Sequence, residues 1–331
     1  MAYDVFGLEN PLIDLLAKVP DSFLDSIGAG KNTMRLIDSS AHHTLLTALK
    51  DTTVQAASGG SCANTMLGIS QLGGKTAFCG KAGNDNHGRM YVDKLEEGGV
   101  TSHVATDGSA TGSTIILVTP DASRTMNTFL GACQELKPAD LPLEALKQAK
   151  MLYITGYLWD SPSQKETVML ALNTAKEADI PIAFSLADPF CVDRHQMDFV
   201  NIIQNYASLV FANREEAHAL TEQSHTHVAM NMLKEWCDTV VVTLGSSGAI
   251  VADSKESVYL DPFPVKAVDT TGAGDAFAAG FLHSYIQGKS LYEAGLQGSA
   301  FAAKVIQQVG PRLDGDVPTQ LETLIGAHFH H

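Results

Sequence analysis

From Leu141 to the C terminus, short β-prone apolar runs alternate with longer amphipathic ones, and this alternation leaves few architectures open. Strand patterns at 151–154, 182–185, 209–212 and 239–244 are separated by helix patterns at 164–178, 197–206, 214–221 and 227–236. Further helices are expected at 273–285, 291–307 and 318–325. Strands joined through helices run parallel, and a parallel sheet must be covered on both faces. The expected fold is therefore a three-layer α/β/α core with a mostly parallel sheet. In such sheets ligands bind beyond the carboxyl ends of the strands.

The first half departs from this rhythm. Strands are expected at 3–7, 12–19, 32–37, 54–57 and 76–80, with helices at 39–49 (capped by Ser39 or Ser40), 62–71 and 87–97. Residues 103–129 carry strand patterns with no helix between them. Within this stretch, 113–119 and 124–129 flank the turn sequence Pro120-Asp121-Ala122-Ser123, which predicts a β-hairpin. The segments about 8–37 and 100–130 read as a small β-sheet lid inside one domain spanning 1–331. A chain of 331 residues, 45% hydrophobic, suits one large domain.

Composition narrows the function. A net charge of −15 argues against nucleic-acid binding, which needs clustered Lys and Arg. No apolar run is long enough to span a bilayer, and Met1-Ala2-Tyr3-Asp4 does not read as a secretory signal. Five scattered cysteines without metal-ligand spacing read as reduced thiols, so a cytoplasmic location is expected. His328, His330 and His331 near the end carry no assignment.

The segment Asp269-Thr270-Thr271-Gly272-Ala273-Gly274-Asp275-Ala276-Phe277 reads as a glycine turn opening a helix, after an expected strand at 265–268. First-turn amides lack intrahelical partners and carry partial positive charge, so Gly272, Ala273 and Gly274 can bring them close to an anion. A carboxylate beside such a turn, Asp275, is suited to taking a proton from a hydroxyl that attacks phosphorus. The plainer alternative is a helix cap on a tight turn. Gly59, Gly60 and Asn64 follow another strand and open another helix, an arrangement that suits a polyhydroxyl ligand, or else is simply a glycine turn and a helix start. Asp14 can accept from two vicinal hydroxyls at once, or else is a solvated charge on the lid strand. Asn213 and Glu216 offer oxygen donors suited to magnesium, or else a helix cap. Asp188 is a further candidate in that region. Arg124, on the hairpin, could stabilise a transferred phosphoryl group, or else face solvent from its strand. Tyr157 and Leu158 could wall a pocket, or simply pack in the core. Gly73-Gly74-Lys75-Thr76 is not a P-loop, because Ile69 stands where the first glycine belongs. Phe277 stands where a dinucleotide fingerprint needs its third glycine.

The stretch 269–277 closely resembles the C-terminal signature of the ribokinase-like (PfkB) family of sugar and nucleoside kinases. The stretch from Gly59 to Gly88 is similar to that family's N-terminal signature, and the resemblance extends over essentially the whole chain. It implies ATP-dependent phosphorylation of a primary hydroxyl, with Asp275 as base and Gly272, Ala273 and Gly274 forming the anion hole. It implies that Asp14 binds substrate hydroxyls and that Asn213 and Glu216 organise hydrated magnesium. The turn Thr243-Leu244-Gly245-Ser246-Ser247-Gly248 resembles the family's ATP site, so Thr243, Gly245, Gly248, Asn213 and Thr271 are expected at ATP. Gln307, Val309 and Gly310 fall where the family approaches adenine and a monovalent cation. Asp269 and Thr271 are candidates for a potassium site. Asn10-Pro11-Leu12-Ile13-Asp14 looks most like the adenosine-kinase branch, although that branch often has two phenylalanines where this chain has Tyr157 and Leu158. The implied substrate is a nucleoside such as adenosine, the alternatives being a free sugar or a non-catalytic sensor. The family includes monomers and dimers paired through the lid.

Overall fold

The computed structural model describes residues 1–328; His330 and His331 lie outside them. From the N terminus the strands are β1 (Val5–Leu8), β2 (Ile13–Lys18), β3 (Met34–Leu36), β4 (Val54–Ser58), β5 (Thr76–Gly83), β6 (Val100–Gly108) and β7 (Ser113–Val118). They continue with β8 (Arg124–Phe129), β9 (Leu152–Thr155), β10 (Ile182–Ser185), β11 (Leu209–Asn213), β12 (Thr239–Thr243), β13 (Ala249–Asp253) and β14 (Ser257–Leu260).

Nine strands form the main sheet in the order β14-β13-β12-β11-β10-β9-β1-β5-β6. All its ladders are parallel except those joining β12, β13 and β14. Alternation along the strands sends side chains to opposite faces. Val5, Tyr153, Leu209 and Val241 join one apolar cluster with the helices Ser61–Gln71, Ala273–Tyr285 and Leu291–Val305. Phe6, Ile154, Val210 and Val240 join the other, with the helices Pro162–Glu177, Pro189–Asn205 and Thr226–Trp236. The sheet is thus covered on both faces, as the βα alternation predicts.

The smaller sheet has the order β3-β8-β7-β2-β4. Its two faces differ. Ile13, Leu15, Ala17, Ile115 and Leu117 are buried in one cluster with Leu24 and Leu45 of the helices Asp21–Ser26 and Ser39–Ala48. The opposite face, carrying Asp14, Thr114, Ile116, Met126 and Thr128, looks into a cavity.

Several expectations need correction. Residues 100–108 form β6, which pairs with β5 at the edge of the main sheet rather than in the small one. In its place β4 joins the small sheet, against β2. Residues 8–37 contain the helix Asp21–Ser26. Asp38, not Ser39 or Ser40, caps the helix Ser39–Ala48, accepting from the Ala41 amide at 2.8 Å. Residues 265–268 are not a strand: the amides of Val268 and Asp269 donate to the carbonyl of Ile306 at the end of a helix instead of to a sheet edge. The antiparallel pair β13 and β14 was not foreseen.

Candidate active site

Asp275 lies in the first turn of the helix Ala273–Tyr285, whose N-cap Gly272 has φ +75°. A Cβ at Gly272 would lie 2.3 Å from Cβ of Pro311, so both conformation and space demand glycine. At Gly274 an added Cβ would meet nothing within 4 Å, which leaves the turn open to a ligand. Among the described residues, the amides of Gly274 and Asp275 have no backbone acceptor, as expected at a helix start.

The helix Ser61–Gln71 brings the partners of Asp275. At Gly68 a Cβ would sit 2.7 Å from Cβ of Ala279, so the missing side chain lets the two helices approach closely. Ser61 Oγ then donates to Asp275 Oδ1 at 2.5 Å, and Asn64 Nδ2 donates to Oδ2 at 2.9 Å. Burial raises the Asp275 carboxyl above its ordinary range, against these hydrogen bonds and the charge of Arg312.

A cavity of about 420 Å³ opens from Asp275 between the two sheets. Gly60, Ser61, Thr271, Arg124, Asp14, Tyr157 and Asp188 line it together with Asp275. Met34, Leu36, Ile116 and Met126 give its small-sheet side an apolar surface, and half-exposed Phe190 stands at the opposite wall. Burial pushes Asp14 up to about 6, opposed by Arg312 and Arg124 and reinforced by Asp275. Gly59 does not face the cavity; a Cβ there would lie 2.5 Å from Asp14 Oδ2, so its role is to make room for that carboxylate.

Other expected positions fall elsewhere. Leu158 is fully buried in the core, separated from Tyr157 because the 3₁₀ turn Gly156–Trp159 points successive side chains in different directions. Asn64, expected at substrate hydroxyls, is half-buried, is held by Asp275 and Arg312, and is not among the residues lining the cavity. Asn213 and Glu216 form a reciprocal capping box on the helix Arg214–Thr221. Both Glu216 oxygens already accept from Asn213, at 2.8 and 2.6 Å, and burial pushes this carboxyl up to about 7. Direct ligation of magnesium would break the box, so the pair fits a metal reached through water. Asp269 belongs to another network: it accepts from Arg124 at 2.8 Å, from the Thr271 amide and hydroxyl, and from the Gly310 amide. Arg124 also donates to the Thr271 hydroxyl. Its guanidinium therefore neutralises the carboxylate expected to bind a cation. No group of three or more His, Cys, Asp or Glu among the described residues is arranged to hold a metal.

Thr243 is in register with Asn213 across β11 and β12, so the two lie together at the carboxyl ends of these strands. Gly245 (φ +60°) opens the following turn onto free space, whereas Gly248 is required because a Cβ would come within 1.9 Å of the Leu260 carbonyl. Two unexpected residues interact with Asp275. Glu9, 1% exposed, accepts from the Cys62 amide at 2.9 Å and from the Thr155 hydroxyl at 2.5 Å. Burial, with a smaller contribution from the Asp275 charge, pushes it up to about 8. Arg312 donates to Asn64 Oδ1 and to Ser58. Glu9 adjoins the Asn-Pro-Leu-Ile-Asp segment, but nothing in the pattern around Arg312 signals a site.

A carboxylate at the amide-rich start of a helix, in a cavity shared with a second carboxylate, is an arrangement suited to phosphoryl transfer onto a hydroxyl. The chain belongs to the pfkB family of carbohydrate kinases, whose family model matches residues 24–319, and it is an ATP-dependent phosphotransferase. A probable sugar kinase from Rhizobium etli CFN 42 superposes with a TM-score of 0.90 at 35% identity, over 99% of each chain. An adenosine kinase from Sinorhizobium meliloti gives 0.88 at 36% identity, over 100% of this chain and 99% of that one. The adenosine kinase of Saccharomyces cerevisiae is 28% identical over 328 residues, covering 92% of this chain and 95% of the yeast protein. No helix among the described residues is long and apolar enough to cross a membrane.

Proposed function

We propose that this kinase phosphorylates the 5′-hydroxyl of a nucleoside, adenosine above all. The observation that carries this reading is the two-sided cavity. Asp14 offers a carboxylate for ribose hydroxyls, while Met34, Leu36, Ile116, Met126 and Phe190 offer apolar and aromatic surface to a base. A free sugar has no use for so large an apolar wall. The adenosine kinases among the relatives point the same way.

Asp275 takes the proton from the acceptor hydroxyl as its oxygen attacks the γ-phosphorus of ATP, and ADP leaves. The Gly274 and Asp275 amides face the charge that develops on the transferred group. Ser61 and Asn64 hold the carboxylate in place. Arg124 reaches the phosphoryl group by leaving Asp269. Magnesium, when bound with ATP, neutralises phosphate charge; Glu216, Asn213 and Asp188 are the groups that would hold its water shell. Asp269 would take a potassium ion only in a state where Arg124 has moved away. The small sheet acts as a lid that excludes water from the site.

A sugar kinase is the second reading, favoured by the resemblance to the Rhizobium etli protein and by the polar wall of Asp160, Asp188 and Arg194. An ADP-release assay with magnesium and potassium across adenosine, inosine, guanosine, cytidine, ribose and fructose tests both. Strong preference for adenosine is expected. Preference for a free sugar would overturn the nucleoside reading.

A further inference from the structure

The segment Gly310-Pro311-Arg312, in the loop after the helix Leu291–Val305, touches three parts of the site at once. The Gly310 amide donates to Asp269 Oδ2 at 3.1 Å. Pro311 packs against Gly272 in the anion turn. Arg312 spreads its guanidinium between the small sheet and the base's own partner. It gives Nε and Nη2 to Asn64 Oδ1 at 3.2 and 3.1 Å. It gives Nη1 to Ser58 Oγ and Nη2 to the Ser58 carbonyl, both at 2.8 Å.

The Asn64 carboxamide has one oxygen and one NH₂ group, and only its NH₂ end can donate to Asp275. Arg312 has no acceptor, so it can engage only the oxygen. The two contacts together admit a single orientation of the carboxamide. With Arg312 in place, Asn64 presents its nitrogen to Asp275 Oδ2 whatever the protonation of that carboxyl; without it, a protonated Asp275 can donate to the Asn64 oxygen and turn the carboxamide over. We propose that Arg312 is a positioning residue for phosphoryl transfer, acting through Asn64 to hold Asp275 in the orientation and charge state of a base. This rests on the reading of Asp275 as the base.

The charge of Arg312 also matters at this place. The other ionisable groups that interact with Asp275 are Glu9 after β1, Asp14 on β2, Cys62 on Ser61–Gln71 and Tyr153 on β9; Tyr91 on Asn86–Glu97 interacts with Arg312, and Arg124 on β8 with Asp14. Most of these add negative charge when ionised, and Arg124 is committed to Asp269. Arg312 lowers the proton affinity of both Asp275 and Asp14. Removing it should move the acid limb of kcat to higher pH, because a more basic carboxyl stays protonated further up the scale.

The experiment uses the full chain with ATP, magnesium and the acceptor that the wild type turns over. Arg312→Met is expected to lower kcat by about 10–100-fold, the range found when the outer partner of a reacting site's ligand is removed. The KM for ATP should hold and the acid limb should rise. In Arg312→Ala, guanidinium chloride at low millimolar concentration should restore part of the rate. Should the Met variant fail to fold, Arg312→Lys decides: it retains the charge but not the fork, so kcat should fall with the limb near its wild-type position. Unchanged kcat in the variant that folds would overturn the proposal. So would a fall in kcat with an unmoved limb in Arg312→Met and no guanidinium rescue in Arg312→Ala, which would mark a packing role. Failure of the base reading shows separately, as substantial turnover by Asp275→Asn.

Discussion

Replacing Asp275 with Asn removes the proton acceptor while leaving almost everything around it in place. The geometry permits this unusually well. Asp275 Oδ1 faces the Ser61 hydroxyl and Oδ2 faces the Asn64 amide nitrogen. An Asn at 275 can place its oxygen towards Asn64 and its nitrogen towards Ser61, whose hydroxyl can accept as readily as donate. No buried polar atom is stranded, so the stability change should stay within about 1 kcal/mol, the net value of an ordinary hydrogen bond. Loss of a general base costs about 10²–10⁴ in rate. At 1.36 kcal/mol per tenfold, that is roughly 3–5 kcal/mol of barrier. The assay pairs ADP release, for kcat, with calorimetric titration of ATP and acceptor. Binding should be close to wild type while kcat falls by two to four orders of magnitude. A kcat within tenfold of wild type would refute the assignment of Asp275 as the base, since no other carboxylate in the cavity is held at the start of this helix.

Gly272→Ala should cost about 1–3 kcal/mol of stability, because of the positive φ and the clash with Pro311. Gly274→Ala should hold or gain stability in thermal melts but lose turnover, since its methyl group would fill the open anion turn. Equal damage to both properties in both variants would refute this contrast. Glu9 has a folded-state value raised from 4.5 to about 8, so its contribution to stability is complete below about pH 4.5 and is lost as the pH rises through about 8. Glu9→Gln should therefore melt higher than wild type at pH 8–9, with the advantage shrinking towards pH 5; an advantage independent of pH would count against the burial argument. Asn213→Ala should cost about 0.5–2 kcal/mol as a lost cap and raise the KM for magnesium-ATP, measurable by urea denaturation and ADP release. Lost stability with an unchanged KM would leave the box a purely structural device.

Local patterns in the chain account for much of this molecule. The helix expected at 273–285 has those same limits, because its glycine turn and apolar run are both local signals. The hairpin around residues 120–123 formed for the same reason. The misplacement of 100–108 has the opposite origin: strand propensity does not say which sheet a strand joins, and β6 pairs with β5 because the helix Asn86–Glu97 returns the chain to that edge. The expected strand at 265–268 carries a β-prone valine at each end, but the Val268 and Asp269 amides meet the end of a helix instead of a neighbouring strand.

Residue types and their spacing suffice for the α/β class, the glycine turn, the position of Asp275 and the separate signatures around Gly59 and Asp14. These depend on residue type and spacing over a few positions, which the backbone reads directly. The tertiary structure alone decided which carboxamide faces Asp275, which carboxylate Arg124 neutralises, and that Leu158 turns into the core while Tyr157 turns to the cavity. It also brought Arg312 to Asn64 from 248 positions away in the chain. Contacts of that span are set by how layers pack and by which polar groups remain to be satisfied once they do, and no local pattern of residues encodes them.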